Sequence, residues 1–74
     1  MTTQLSSKSL EHISRKLREI RNRKNLSQED VARLSDISTN YYAGIERGEE
    51  NPTVAVIERI CKSLNVKSSS ILPF

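Results

Sequence analysis

The sequence predicts an all-α domain: a compact bundle of four helices followed by a short fifth. Three observations carry this prediction. Apolar residues recur at three- and four-residue steps in separate segments, which is how a helix with one buried face is written. Ser27, Ser38 and Thr53 precede three of those segments as ready N-caps, while Asn25, Gly48 and Asn65 stand where segments end, residue types that accept a left-handed backbone. No segment reads as strand.

Residues 1–8 are polar, rich in Ser and Thr and without periodicity, and read as a flexible N-terminal arm before a domain spanning 9–74. Leu10, Ile13, Leu17 and Ile20 then mark the inner face of a first helix, which should stop near Asn25. Ser27-Gln28-Glu29-Asp30 starts a second, with two acids set against the positive end of its dipole. Its inner face is Val31, Ala32, Leu34 and Ser35, and it runs barely two turns before Asp36. Ser38 caps a third helix only three residues after Ser35, so two short helices are joined by a tight turn.

The third helix should carry Thr39 to Arg47, with Tyr42 and Ile45 inward, and end at Gly48. After the polar loop Glu49-Glu50-Asn51-Pro52, Thr53 caps a fourth with the stripe Val54, Ile57, Ile60, Cys61 and Leu64. A last turn from about Ser68 brings Ile71 and Leu72 onto the bundle or a partner.

A chain of 74 residues supports one domain with a modest core. One cysteine, Cys61, permits no internal disulfide, which points to a reducing, cytoplasmic setting, and its place on the apolar stripe makes it a core side chain. His12 is solitary, so no metal site is expected. The hydroxyls have no base beside them for nucleophilic catalysis, no Gly-rich phosphate loop exists, and neither enzyme activity nor a cofactor is expected. The longest apolar runs are far too short for a membrane span, and no targeting segment is visible. The net charge is +3, but between Lys8 and Lys24 seven bases face two acids, a footprint for a polyanion or simply a solvated helix face.

With these elements in place the chain resembles the Cro and phage-repressor (XRE) superfamily of helix-turn-helix proteins, over roughly Ile13 to Leu72. The matching stretches are Leu17-Arg18-Glu19-Ile20-Arg21, Leu26-Ser27-Gln28-Glu29-Asp30-Val31-Ala32, Gly44-Ile45-Glu46-Arg47-Gly48 and Asn51-Pro52-Thr53, and the spacing from Gln28 to Gly48 fits without a gap. Tyr41-Tyr42-Ala43-Gly44-Ile45-Glu46-Arg47-Gly48 with Asn51-Pro52-Thr53 looks closest to controller proteins of restriction-modification systems. The resemblance implies a lambda-repressor-like DNA-binding domain whose third helix enters the major groove.

On that likeness the recognition helix projects Ser38, Thr39, Asn40, Ala43, Gly44 and Arg47 outward. Thr39 and Asn40 are expected at base edges. Gln28, Arg47 and Asn51 match phosphate-contacting positions, with Tyr41 either joining them or packing. Arg21 and Glu46 match a structural, largely buried ion pair. Several positions depart from the pattern. Asp36 stands where Gly is common, Tyr42 where a β-branched aliphatic is usual, Thr39 where controllers often have Arg, and Glu50 where some carry a base.

A monomer of this size offers few base contacts, so a homodimer on a roughly palindromic operator is expected, its contact made by Val66, Ile71, Leu72 and Phe74. Occupancy would block transcription or stimulate it through RNA polymerase. The alternative is an antitoxin-like or adaptor module whose basic helix meets an acidic protein.

Overall fold

Capping sets the boundaries of the elements. The computed structural model describes residues 4–74, and there α1 runs Ser7–Arg23, α2 Gln28–Leu34, α3 Thr39–Glu46 and α4 Val54–Leu64, followed by a 3-10 turn at Ser68–Ser70, with no strand among the described residues. Ser6 Oγ accepts from the Ser9 amide at 3.1 Å, so α1 begins at Ser7 and takes Ser7 and Lys8 out of the expected arm. Leu5 packs half-buried on the core, and residues 1–3 of that arm lie outside the described residues.

Ser27 and Asp30 close a reciprocal capping box on α2: Ser27 Oγ accepts from the Asp30 amide at 3.0 Å, and Asp30 Oδ2 from the Ser27 amide at 2.9 Å. These bonds, the backbone one first, hold the Asp30 carboxyl below its ordinary range. Ser38 and Thr53 cap α3 and α4 by a single bond each, their hydroxyl oxygens accepting from the Tyr41 and Val56 amides at 3.0 and 3.2 Å. Asn25, Asp36 and Asn65 all adopt positive φ (56°, 57° and 57°), as does Gly48 at 73°, so each helix is followed by a left-handed residue that reverses the chain.

The core is drawn from every helix. Ile13, Leu17 and Ile20 of α1 meet Val31 and Ala32 of α2, Tyr42 and Ile45 of α3, and Ile57, Ile60, Cys61 and Leu64 of α4, and Ile71 closes the base. Burial raises the Cys61 thiol above its ordinary range, as for a core side chain. Ala32, 1% exposed, lets α2 and α3 approach. Ser35, also buried, donates to Ser63 Oγ at 3.0 Å, and Ser63 Oγ donates on to the Ile60 carbonyl at 2.8 Å, pinning the end of α2 to α4.

Three expectations are corrected. Leu34 is 51% exposed, because the inward place at the end of α2 is taken by Ser35. Val54, at the head of the α4 stripe, is 74% exposed, since the stripe is longer than the surface the rest of the chain offers it. Gly44 does not project outward but is buried. Glu50 lies over it, the Glu49 and Glu50 amides both donate to its carbonyl at 2.9 and 3.3 Å, and a Cβ there would stand 2.6 Å from Glu50 Cγ. Among the described residues no helix is long and apolar enough to cross a membrane.

Candidate nucleic-acid interface

The short helix α3 is too brief to hold itself in place, having only eight residues, so its orientation depends on what grips it. Tyr42 and Ile45, 0% and 2% exposed, anchor one side in the core. At its C-terminal end Glu46, 2% exposed, is the centre of a polar cluster that joins three helices. Arg21 of α1 meets it as a fork, Nε donating to Oε2 at 2.6 Å and Nη2 to Oε1 at 3.0 Å. Arg21 Nη1 also donates to the Leu26 carbonyl at 2.9 Å, and Gln28 Nε2 of α2 to Glu46 Oε1 at 3.0 Å. Arg18 Nη1 donates to the Glu46 backbone carbonyl, satisfying an acceptor left free where α3 stops.

Burial alone would raise the Glu46 carboxyl, but bonds from Arg21 and Gln28 outweigh it and hold that carboxyl below its ordinary 4.5. The bond to Glu46 correspondingly raises the Arg21 guanidinium. The Tyr42 phenol reaches the same cluster, yet its buried hydroxyl finds no hydrogen-bond partner of proper geometry among the described residues. Burial first, then the nearby Glu46 charge, pushes that phenol far above its ordinary range, so it stays neutral.

The opposite end of α3 is bare. Ser38, Thr39 and Asn40 are exposed, Ser38 Oγ being engaged as the cap through the Tyr41 amide. Tyr41 and Ala43 are half-buried beside them, Tyr41 packing against the core cluster. Arg47 follows α3 as its C-cap, exposed, with Nε 3.0 Å from Glu49 Oε1. Of the phosphate candidates, Gln28 has its donor amide engaged by Glu46, whereas Asn51 accepts from the Leu5 amide through Oδ1 at 3.4 Å, an atom that a phosphate would not use.

The structure thus places Gln28 beside the Arg21–Glu46 pair, 18 residues on in sequence, and sets Thr39 and Asn40 on the exposed first turn of α3. Sequence reasoning missed Arg18 and Glu49. The signal for Arg18 was its place one turn before Arg21 on α1, and for Glu49 its nearness to Arg47 across a loop that has to turn back on itself. Among the described residues no group of His, Cys, Asp and Glu could hold a metal ion.

Comparison with known proteins gives a consistent picture. The helix-turn-helix family profile (HTH_3) matches residues 17–71. The chain is 40% identical over 60 residues to control protein C.BamHI of Bacillus amyloliquefaciens, covering 80% of this chain and 74% of that protein. It is 34% identical over 62 residues to control protein C.SmaI of Serratia marcescens, covering 84% and 74%. The crystal structure of the restriction-modification controller protein C.AhdI of Aeromonas hydrophila superposes with a TM-score of 0.83 at 33% identity, covering 85% of this chain and 96% of that one.

Proposed function

The chain belongs to the helix-turn-helix family, and on that premise we propose that it regulates transcription by binding duplex DNA as a symmetric homodimer on a roughly palindromic operator, as a restriction-modification controller. The observation that carries this reading is α3 itself, fixed at its base by the Glu46 cluster and bare at its first turn. Thr39 and Asn40 there read base edges in the major groove, Asn40 suiting a bidentate bond to adenine and Thr39 a thymine methyl. Ser38, Tyr41 and Ala43 border that contact. Gln28 at the start of α2, with Arg47 and Asn51 after α3, grips phosphates on either side, Gln28 by turning its amide from Glu46 and Asn51 through its Nδ2.

The exposed residues of α3 are small and polar, whereas a helix docking into a protein groove presents large apolar anchors. The homodimer is supported by an apolar groove of about 460 Å³ between α4 and the C-terminus, rimmed by Val54 and Phe74, which are 74% and 78% exposed. Ile71, expected at that contact, is instead 1% exposed within the chain's own core.

The test is selection of bound sites from a random duplex library, followed by titration of the selected site at several salt concentrations. With roughly six to ten phosphate contacts per dimer, affinity should fall by about three to five decades between about 50 and 200 mM salt. A flat salt response, or selection that yields no shared sequence, overturns the proposal.

A further inference from the structure

We propose that the cleft between the N-terminal half of α1 and the end of α3 is a second phosphate-binding surface, which takes the DNA backbone beyond the bases that α3 reads. The inference rests on the DNA-binding reading above and assigns new residues to it. The cleft has a volume of about 470 Å³ and is lined by Lys8, Arg15 and Arg18 of α1 and by Arg47, with His12 between them and Glu11 as its one acid. Four bases against one acid give this single cleft the formal charge of the whole chain, +3.

That charge is only loosely offset from within. Arg15 pairs with Glu19 at 3.3 Å, but both side chains are about half exposed, and an exposed i,i+4 pair contributes little. Arg47 and Glu49 are similarly exposed, at 56% and 62%. Such partners are readily exchanged for a phosphate.

The cleft is also continuous with the proposed reading surface. Arg47 is the C-cap of α3, and Arg18 bonds the carbonyl of its last residue, so the cleft opens where the recognition helix ends. Lys8 and Arg15 stand two turns apart on α1, about 10 Å of rise. That is comparable to the axial span of about three phosphates on one DNA strand. Three cations strung along one wall, with Arg47 facing them, suit an extended polyanion better than a compact single anion.

The experiment compares wild type with Lys8→Gln/Arg15→Gln and with Glu11→Gln, three exposed positions on α1, using the library-selected duplex, ethylation interference to locate the phosphates contacted, and circular dichroism to confirm the fold. The double variant should bind roughly tenfold more weakly at about 50 mM salt, with a salt slope lower by about two per subunit. It should also lose interference at one to three phosphates in each half-site while keeping the rest. Glu11→Gln should bind about two- to threefold more tightly, since it removes the acid from the cleft. An unchanged interference pattern in the double variant, whatever its affinity, would show only diffuse attraction and overturn the inference. Wild type that binds the duplex while both variants match it would leave the cleft to another polyanion and overturn it equally. Wild type that binds no duplex refutes the DNA reading itself, and this inference with it.

Discussion

At the scale of single residues, the surface of α3 divides chemically between groups that can tell bases apart and groups that answer only to charge. Asn40 is exposed, uncharged and on the first turn of the helix, whereas Arg47 is a cation at its last. If Asn40 reads a base edge, Asn40→Ala costs about 1–3 kcal/mol per half-site on the selected duplex and leaves binding to random DNA nearly unchanged. Arg47→Ala should instead weaken all sequences by similar factors and lower the salt slope by about one per subunit. Titrations of both variants on both duplexes decide the matter, and exchanged outcomes would mean that α3 is seated differently, with the buried Tyr42 as the first suspect. Glu49 adds a finer test. Because it pairs with Arg47 in the free protein, Glu49→Gln should tighten binding by a few-fold, an effect that disappears in an Arg47→Ala background. Of these residues, Thr39, Asn40 and Arg47 were legible as exposed polar positions, but the pairing of Glu49 was not, because a loop contact leaves no periodic trace and only nearness to Arg47 pointed to it. Gln28 shows the other limit of sequence reading, since family likeness supplies a phosphate role and says nothing of the amide's bond to Glu46.

At the scale of elements, the helix boundaries were legible because caps are local: Ser27, Ser38 and Thr53 act within one turn of themselves. Long-range contacts were not. Arg21 and Glu46 lie 25 residues apart, no pattern of spacing joins them, and only the family likeness paired them in advance. Their bond holds α3 against α1, so Arg21→Ala strands a buried carboxylate, and an expected loss of roughly 3–5 kcal/mol is a large part of what a domain this small possesses. Thermal melts should show that loss first, with DNA binding failing only as the recognition helix loosens. The pair also fixes the response to acid. Glu46 titrates below its ordinary 4.5 when folded, so its contribution is fully present above that value and is lost as pH falls through the lower, folded one. Melting temperature should therefore drop steeply below about pH 4.5, and Glu46→Gln, less stable at neutral pH, should show a flatter acid limb. Asp36 offers a gain instead. At φ 57° it holds a conformation that glycine adopts without a Cβ penalty, and Arg59 bonds only its backbone carbonyl. Asp36→Gly should raise stability by about 0.5–1 kcal/mol, some 2–8 °C in a melt of a domain this size. An unchanged or lower melting temperature would mean that the Asp36 side chain does something for the turn beyond tolerating it.

At the scale of the whole molecule, the chain leaves two unlike surfaces in need of something outside itself: a basic one around α1 and α3, and an apolar one between α4 and the C-terminus. The second was only half legible. Sequence reading puts Val54 on the inward stripe of α4 and Ile71 at the contact with a partner, and only packing decides the reverse, that Ile71 closes the core while Val54 stands at the rim of an open groove. On the proposed reading, a second copy is the occupant that would also serve the first surface, because two α3 helices related by a twofold axis would double the base contacts without any new chemistry. Wild type should therefore sediment as a dimer at tens of micromolar. Val54→Asp places a carboxylate in the contact of both copies and should weaken association by roughly a hundredfold, while the exposed position leaves the monomer fold intact by circular dichroism. The same variant should lose most of its affinity for a two-half-site duplex and little for a single half-site, because what disappears is the linkage between two reading helices and not the reading itself. A wild-type monomer at those concentrations, both free and on the selected duplex, would remove the dimer. A Val54→Asp protein that still dimerises would move the contact away from this groove, and the two results are told apart by the sedimentation of the wild type alone.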